Sequence, residues 1–172
     1  NISRKDFWSA EDRIGQVLKL SLAVGIATAS ICLSLPETLG YLFYQRNDLG
    51  NMIRFASFIC LINFVSSPTF GILNALGKQN ILLRNSTLIS LENLFLTFIF
   101  ASIPKLNIYG YGISIIITSV TALIANTREI RKICSFTIEM QDIVTLLLTG
   151  VAAYLIAITL NSILIGLSPV IR

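Results

Sequence analysis

LSLAVGIATASICLSLP, residues 20–36, is closed off by Lys19 and Glu37 and holds no charged residue of its own. Four more such runs follow, between Arg54 and Lys78, Arg84 and Lys105, Lys105 and Arg128, and Asp142 and Arg172. All five are about 17 to 29 residues long, and only Glu92 interrupts them. A helix of roughly 20 mostly apolar residues crosses a bilayer core of roughly 30 Å. The spacing of charge therefore predicts an all-α, polytopic transmembrane helical bundle of about five spans.

Composition points the same way. Hydrophobic residues make up 54% of the 172 residues and charged ones 13%, with a mean hydropathy of +0.77. A water-soluble domain of this length would carry more apolar surface than one core can bury. The protein contains no histidine, so the commonest general base and metal ligand are missing and hydrolytic chemistry loses its usual agent. Cys32, Cys60 and Cys134 are odd in number and sit in or beside apolar helices, which suggests neither a disulfide framework nor a metal cluster. The reading is of a protein that is not an enzyme and holds no cofactor. Its net charge of +4 follows from membrane topology, and without a basic stripe interleaved with aromatics no nucleic-acid partner is expected.

The chain divides into a polar leader, residues 1–13, and a membrane domain, residues 14–172. Spans are expected at about 14–35, 52–76, 80–103, 108–127 and 142–160, leaving SILIGLSPVIR too short for another crossing. The chain opens on Asn1 with no signal-peptide pattern ahead of its first span, and we read it as an internal piece of a longer protein. Ser21, Gly25 and Ala29 form a small-residue ridge for close helix approach. Pro36 ends or kinks the first helix. In the second span Ser66 and Ser67 precede Pro68, with Gly71 after it, so a kink is expected there, and Pro68 and Gly71 are the hinge candidates.

Polar residues inside the spans mark the candidate pathway. LLRNSTLISLENLFLTF (residues 82–98) places Ser86, Ser90, Asn93 and Thr97 on one helical face, with Asn85 and Glu92 beside it. An acidic group near mid-span costs roughly 2.5–3.5 kcal/mol, so Glu92 calls for a partner or a cavity. The substrate or ion pathway candidates are Glu92, Asn93, Asn63 and Ser90. Ser67 and Asn74 in the second span, and Ser114, Thr118 and Thr121 in the fourth, form weaker stripes that suit bonding to their own helix.

Three stretches carry a family resemblance. FGILNALGKQN (residues 70–80) resembles the "GiLqglGkpk"-like helix end of the polysaccharide biosynthesis C-terminal domain. IPKLNIYGYGIS (residues 103–114) resembles its "ip.lgi.GaaiaT"-like stretch. The leader with AVGIATASICLSLPETLGYLFY (residues 23–44) resembles the helix that opens that domain. The family is the flippase branch of the multidrug, oligosaccharidyl-lipid and polysaccharide exporter (MOP) superfamily, which includes MATE-like transporters, and the likeness is to its stage V sporulation protein B-like and lipid II flippase-like members. The resemblance implies a transporter of two pseudo-symmetric lobes in the bacterial plasma membrane, moving lipid-linked saccharide for cell-wall or polysaccharide synthesis outward by alternating access. This chain would be part of the second lobe, its partners the lipid bilayer, the lipid-linked substrate and a first lobe on the same polypeptide. The chain departs from the pattern in two places: Glu92 and Asn93 stand where members often carry lysine, and Ala75 where they carry glycine. A cation-coupled multidrug exporter of the same superfamily and a non-transporting membrane scaffold are the alternatives.

Basic residues assign the sides. Arg4, Lys5, Arg13, Lys19, Lys78, Arg84, Arg128, Arg131 and Lys132 fall on one side, Arg46, Arg54, Lys105 and Arg172 on the other, which places the leader in the cytoplasm. Single cysteines replacing Asn80 and Glu129 are expected to react with an impermeant thiol reagent only from the leader's side, and one replacing Lys105 only from the opposite side. Equal labelling of positions 80 and 105 from one side would contradict the topology.

Overall fold

The computed structural model describes residues 4–46, 48–106, 108–134 and 140–167. Six helices account for nearly all of them: α1 (Arg4–Ser34), α2 (Pro36–Tyr44), α3 (Gly50–Ala75), α4 (Gln79–Ala101), α5 (Ile108–Arg131) and α6 (Met140–Leu167). Among the described residues there is no strand. The end of the SILIGLSPVIR tail, residues 168–172, lies outside the described residues, as does the start of the leader.

The expectation of five spans is met in part. Among the described residues three helices are long and apolar enough to cross a membrane: α1 over Glu11–Ser34, α3 and α5. They make this an all-α membrane protein. α4 has the length, at 23 residues, but Arg84, Asn85, Glu92 and Asn93 dilute its apolar character. In α6, a helix of 28 residues, the apolar stretch among the residues with described side chains is Leu148–Thr159.

Local chemistry sets the boundaries between elements. Leu35 leaves the helical region at φ −128° and ψ 42°, and Pro36 restarts the chain as the first residue of α2, the position where its missing N–H costs least. The aromatic segment PETLGYLFY, which begins at Pro36, is thus a helix of its own. Tyr41, Leu42, Phe43 and Tyr44 stay open to the surroundings, as interfacial aromatics do. Gln45 ends α2 in the left-handed region, at φ 55°. In the turn that follows, the Arg46 Nε donates to Asp48 at 2.9 Å, and this bonding holds the Asp48 carboxyl below its ordinary range. α3 runs unbroken through Pro68. Its end is a Schellman cap: Gly77 takes φ +69°, its N–H donates to the Asn74 carbonyl at 3.0 Å, and Lys78 N–H donates to Leu73 at 3.0 Å. Gly77 and Lys78 of the FGILNALGKQN stretch form this cap.

The helices pack side by side in the order α6, α1, α3, α5, α4, with α4 also touching α3. Close approach is built on small residues. A Cβ on Gly25 would lie 2.8 Å from the Phe64 Cβ of α3, so the expected ridge on α1 is in use. The Ser30 hydroxyl donates to the Gly150 carbonyl at 3.0 Å and joins α1 to α6. At one end Ile14, Leu18, Ile72, Leu73, Ile130 and Cys134 close an apolar cluster between α1, α3 and the end of α5. Burial and then the charge of Glu11 push the Cys134 thiol up, which makes it a packing group and a poor nucleophile. The cluster gathers the leader, the α3–α4 turn and the end of α5, hence Arg13, Lys78, Arg84, Arg128 and Lys132, at the same end of the molecule.

Glycines divide into those the packing requires and those it does not. A Cβ on Gly110 would collide with the backbone carbonyl of Phe100, whereas one on Gly71 meets nothing within 4 Å. Gly110→Ala is expected to destabilise by about 1–3 kcal/mol through forced backbone displacement. Gly71→Ala is expected to stabilise by about 0.5–1 kcal/mol by restoring helix propensity. Thermal melts of the two variants in one detergent check both signs.

Candidate functional site

The polar residues of α4 are turned into a seam with α5. Four rungs climb it in antiparallel register. The Asn85 Nδ2 donates to the Asn126 Oδ1 at 3.0 Å and the Thr121 hydroxyl donates to the Glu92 Oε1 at 2.9 Å. The Asn93 Nδ2 donates to the Thr118 hydroxyl at 3.0 Å, and the Thr97 and Ser114 hydroxyls are hydrogen-bonded to each other at 2.8 Å. From Asn85 to Thr97 up α4 the partners run from Asn126 to Ser114 down α5, about three turns on each helix. Of the polar face read from the sequence, Asn93 and Thr97 are paired with α5, whereas Ser86 donates to the Leu83 carbonyl of its own helix.

α5 extends the network to α3. Its Asn126 is wholly buried and donates through Nδ2 to the Thr69 hydroxyl at 2.9 Å. Thr69 in turn donates to the Ser66 carbonyl at 2.6 Å. Higher on the same interface the Ser119 hydroxyl donates to the Asn63 Oδ1 at 2.9 Å, and Phe55 meets Tyr109 edge to face with centroids 5.1 Å apart. These contacts run in parallel register along α3 and α5. Asn126 thus joins three helices, accepting from Asn85 of α4 and donating to Thr69 of α3. At the same end Glu129 lies 3.2 Å from Arg84 and 3.1 Å from Lys132, tying α4 to α5 by charge. On the opposite end Arg54 lies 2.8 Å from Glu37, with both side chains about half exposed, so this pair adds little stability.

The expected site residues are thereby distributed over two places. Glu92 and Asn93 lie half-buried in the α4–α5 seam. Ser90 is exposed on α4, outside the rungs. Asn63 and Pro68 line a cleft of about 380 Å³ between α1 and α3, together with Ser21, Cys60, Phe64 and Ser67. A second cleft of about 400 Å³ shares Pro68 and holds Gly71, with Arg13, Val17, Ile72 and Ala75 among its walls. The hinge candidates are therefore neighbours in space on the α1–α3 face. The first cleft is lined by amide, hydroxyl and thiol residues within an otherwise apolar wall.

Asn126 and Thr69, the wholly buried polar pair at the centre, escaped the sequence reading. Asn126 stands at the end of an apolar run, near Arg128, where an amide reads as a span boundary. Its spacing from Ser119 and Ala122 gave the available signal, because those three share one face of α5.

No family model, no curated protein and no solved structure matches this chain.

The network makes a quantitative expectation. Asn85→Ala and Asn126→Ala each strand an amide, and a double-mutant cycle between them should return a coupling of about 0.6 kcal/mol, and no more than about 1.7 kcal/mol, the scale of hydrogen bonds between membrane helices. Stability in detergent against a graded denaturant measures it, and additive single variants would remove the direct bond.

Proposed function

We propose that this chain is part of a membrane transporter, a flippase or exporter that moves lipid-linked oligosaccharide or polysaccharide precursors across the bacterial plasma membrane by alternating access. The leader then faces the cytoplasm, and no covalent chemistry takes place. The observation that carries this reading is the cleft between α1 and α3, where Asn63, Ser67 and Ser21 bring polar groups to the flank of Pro68 within an apolar helix pair. Polar side chains at membrane depth are costly unless paired or wetted, and a proline beside them lets the helix bend as access changes. The ordered resemblance of residues 23–44, 70–80 and 103–114 to the polysaccharide biosynthesis C-terminal domain supports the same assignment.

Glu92 and Asn93 enter the cycle differently from Asn63. In the state seen here both are bonded across the α4–α5 seam, so a pathway or ion-coupling role requires that seam to part in the alternate state. The ligand or ion that binds the two states unequally then supplies the driving force. The same pairing favours a second reading, a non-transporting scaffold in which these side chains hold helices together.

Glu92→Gln separates the two, because the amide keeps an oxygen to accept from Thr121 but cannot ionise. In full-length protein reconstituted into vesicles that carry a pyrophosphate-linked oligosaccharide lipid, the transporter reading expects normal insertion and stability with loss of pH- or ion-dependent translocation. Pro68→Ala should slow exchange of the access states without lowering abundance. For a scaffold, Glu92→Gln is silent in transport and Glu92→Leu lowers stability.

A further inference from the structure

A third cleft, of about 390 Å³, opens on another face of the molecule, between α1 and α5. Leu22 of α1, Val65 of α3 and Leu123 of α5 form its walls, and Thr127, Arg128 and Arg131 of α5 stand at its mouth. The arginines are exposed and occupy the last turn of α5, three residues apart, so both reach the same rim. The neighbouring carboxylate, Glu129, is already bonded to Arg84 and Lys132. Among the described residues Arg128 has no ion-pair partner. The cleft thus joins an apolar wall inside the span to positive charge and a hydroxyl where the span ends, which is the charge and shape complement of an anionic lipid.

We propose that this cleft binds one anionic phospholipid of the surrounding leaflet, with its phosphate on Arg128 and Arg131 and one acyl chain laid along Leu22, Val65 and Leu123. Basic pockets between helices at the positively charged end of a membrane protein recognise such headgroups. A guanidinium pair grips phosphate oxygens through several donors at once. The site lies apart from the α1–α3 cleft, and its occupancy does not depend on whether the chain transports anything. Bound lipid would bridge α1 and α5, whose walls here meet across α3.

The test uses the whole chain in a mild detergent, titrated with phosphatidylglycerol and, separately, with phosphatidylcholine of the same acyl chains, with bound lipid counted by native mass spectrometry. Phosphatidylglycerol should be retained preferentially. That preference should fall about fivefold in Arg128→Gln and about 25-fold in Arg128→Gln/Arg131→Gln, while Lys105→Gln at the other end leaves it unchanged. Leu123→Trp fills the cleft and keeps both arginines, so it decides the matter even where the double variant fails to fold: loss of phosphatidylglycerol binding is expected, and its retention overturns the proposal. Equal retention of the two lipids by the wild type overturns it as well. So does binding of glycerol phosphate as tight as that of the whole lipid, which would leave an anion patch without an acyl site. A doubled mass appearing as the lipid adduct disappears would give the cleft to a second copy of the chain and overturn it too.

Discussion

An amide buried among apolar helices must find partners, and Asn126 finds them in two directions. Its oxygen accepts from Asn85 and its nitrogen donates to Thr69, so α3, α4 and α5 are fixed at one point. Leaving such a group unpaired in an apolar setting costs about 1–3 kcal/mol, and neither water nor lipid acyl chains reach a wholly buried side chain to relieve it. The rest of the arrangement keeps to this register. From the Asn126 node the rungs at Glu92, Asn93 and Thr97 follow along α4, and the Ser119–Asn63 contact follows along α3.

α5 sits between α3 and α4 for the same reason. Its buried residues are glycine, serine, threonine, alanine and asparagine for most of its length, with Ile130 at the end. Small side chains let two neighbours approach it from either side, and hydroxyls supply bonds that hold them there. The outer helix α4 shows the opposite character on its free face, where Leu88, Leu91, Leu94, Phe95 and Phe98 are between 58% and 75% exposed. Apolar side chains so open cannot be left to water. Polarity inside and apolarity outside is the inversion expected when lipid is the solvent.

This inversion alters how intramembrane polar residues are to be understood. Glu92 and Asn93 stand out in the sequence as a possible pathway, yet here they are the middle rungs of a helix seam. Asn63 serves both purposes, accepting from Ser119 while lining the α1–α3 cleft. A bonded seam and an open cleft are compatible in a protein that alternates between arrangements, because each state can satisfy its polar groups with a different set of neighbours.

Helicity, the preference for a membrane and the division of basic residues between two ends were legible in residues 20–36 and their counterparts. Each depends only on local composition over the length of a span. The close approach at Gly25 was legible too, since a four-residue repeat of small residues marks a helix face. The separate character of α4 was not, because it carries its polar residues for a neighbour's benefit and the spacing of charge does not reveal that. Nor did the sequence disclose that Pro36 starts a helix of its own. Which polar residues meet was decided by tertiary structure alone. Antiparallel packing of α4 and parallel packing of α3 against α5 set the registers that bring Asn85, Asn126 and Thr69 together from three separate segments, and hydrogen bonds of about 3 Å depend on that geometry and not on proximity along the chain.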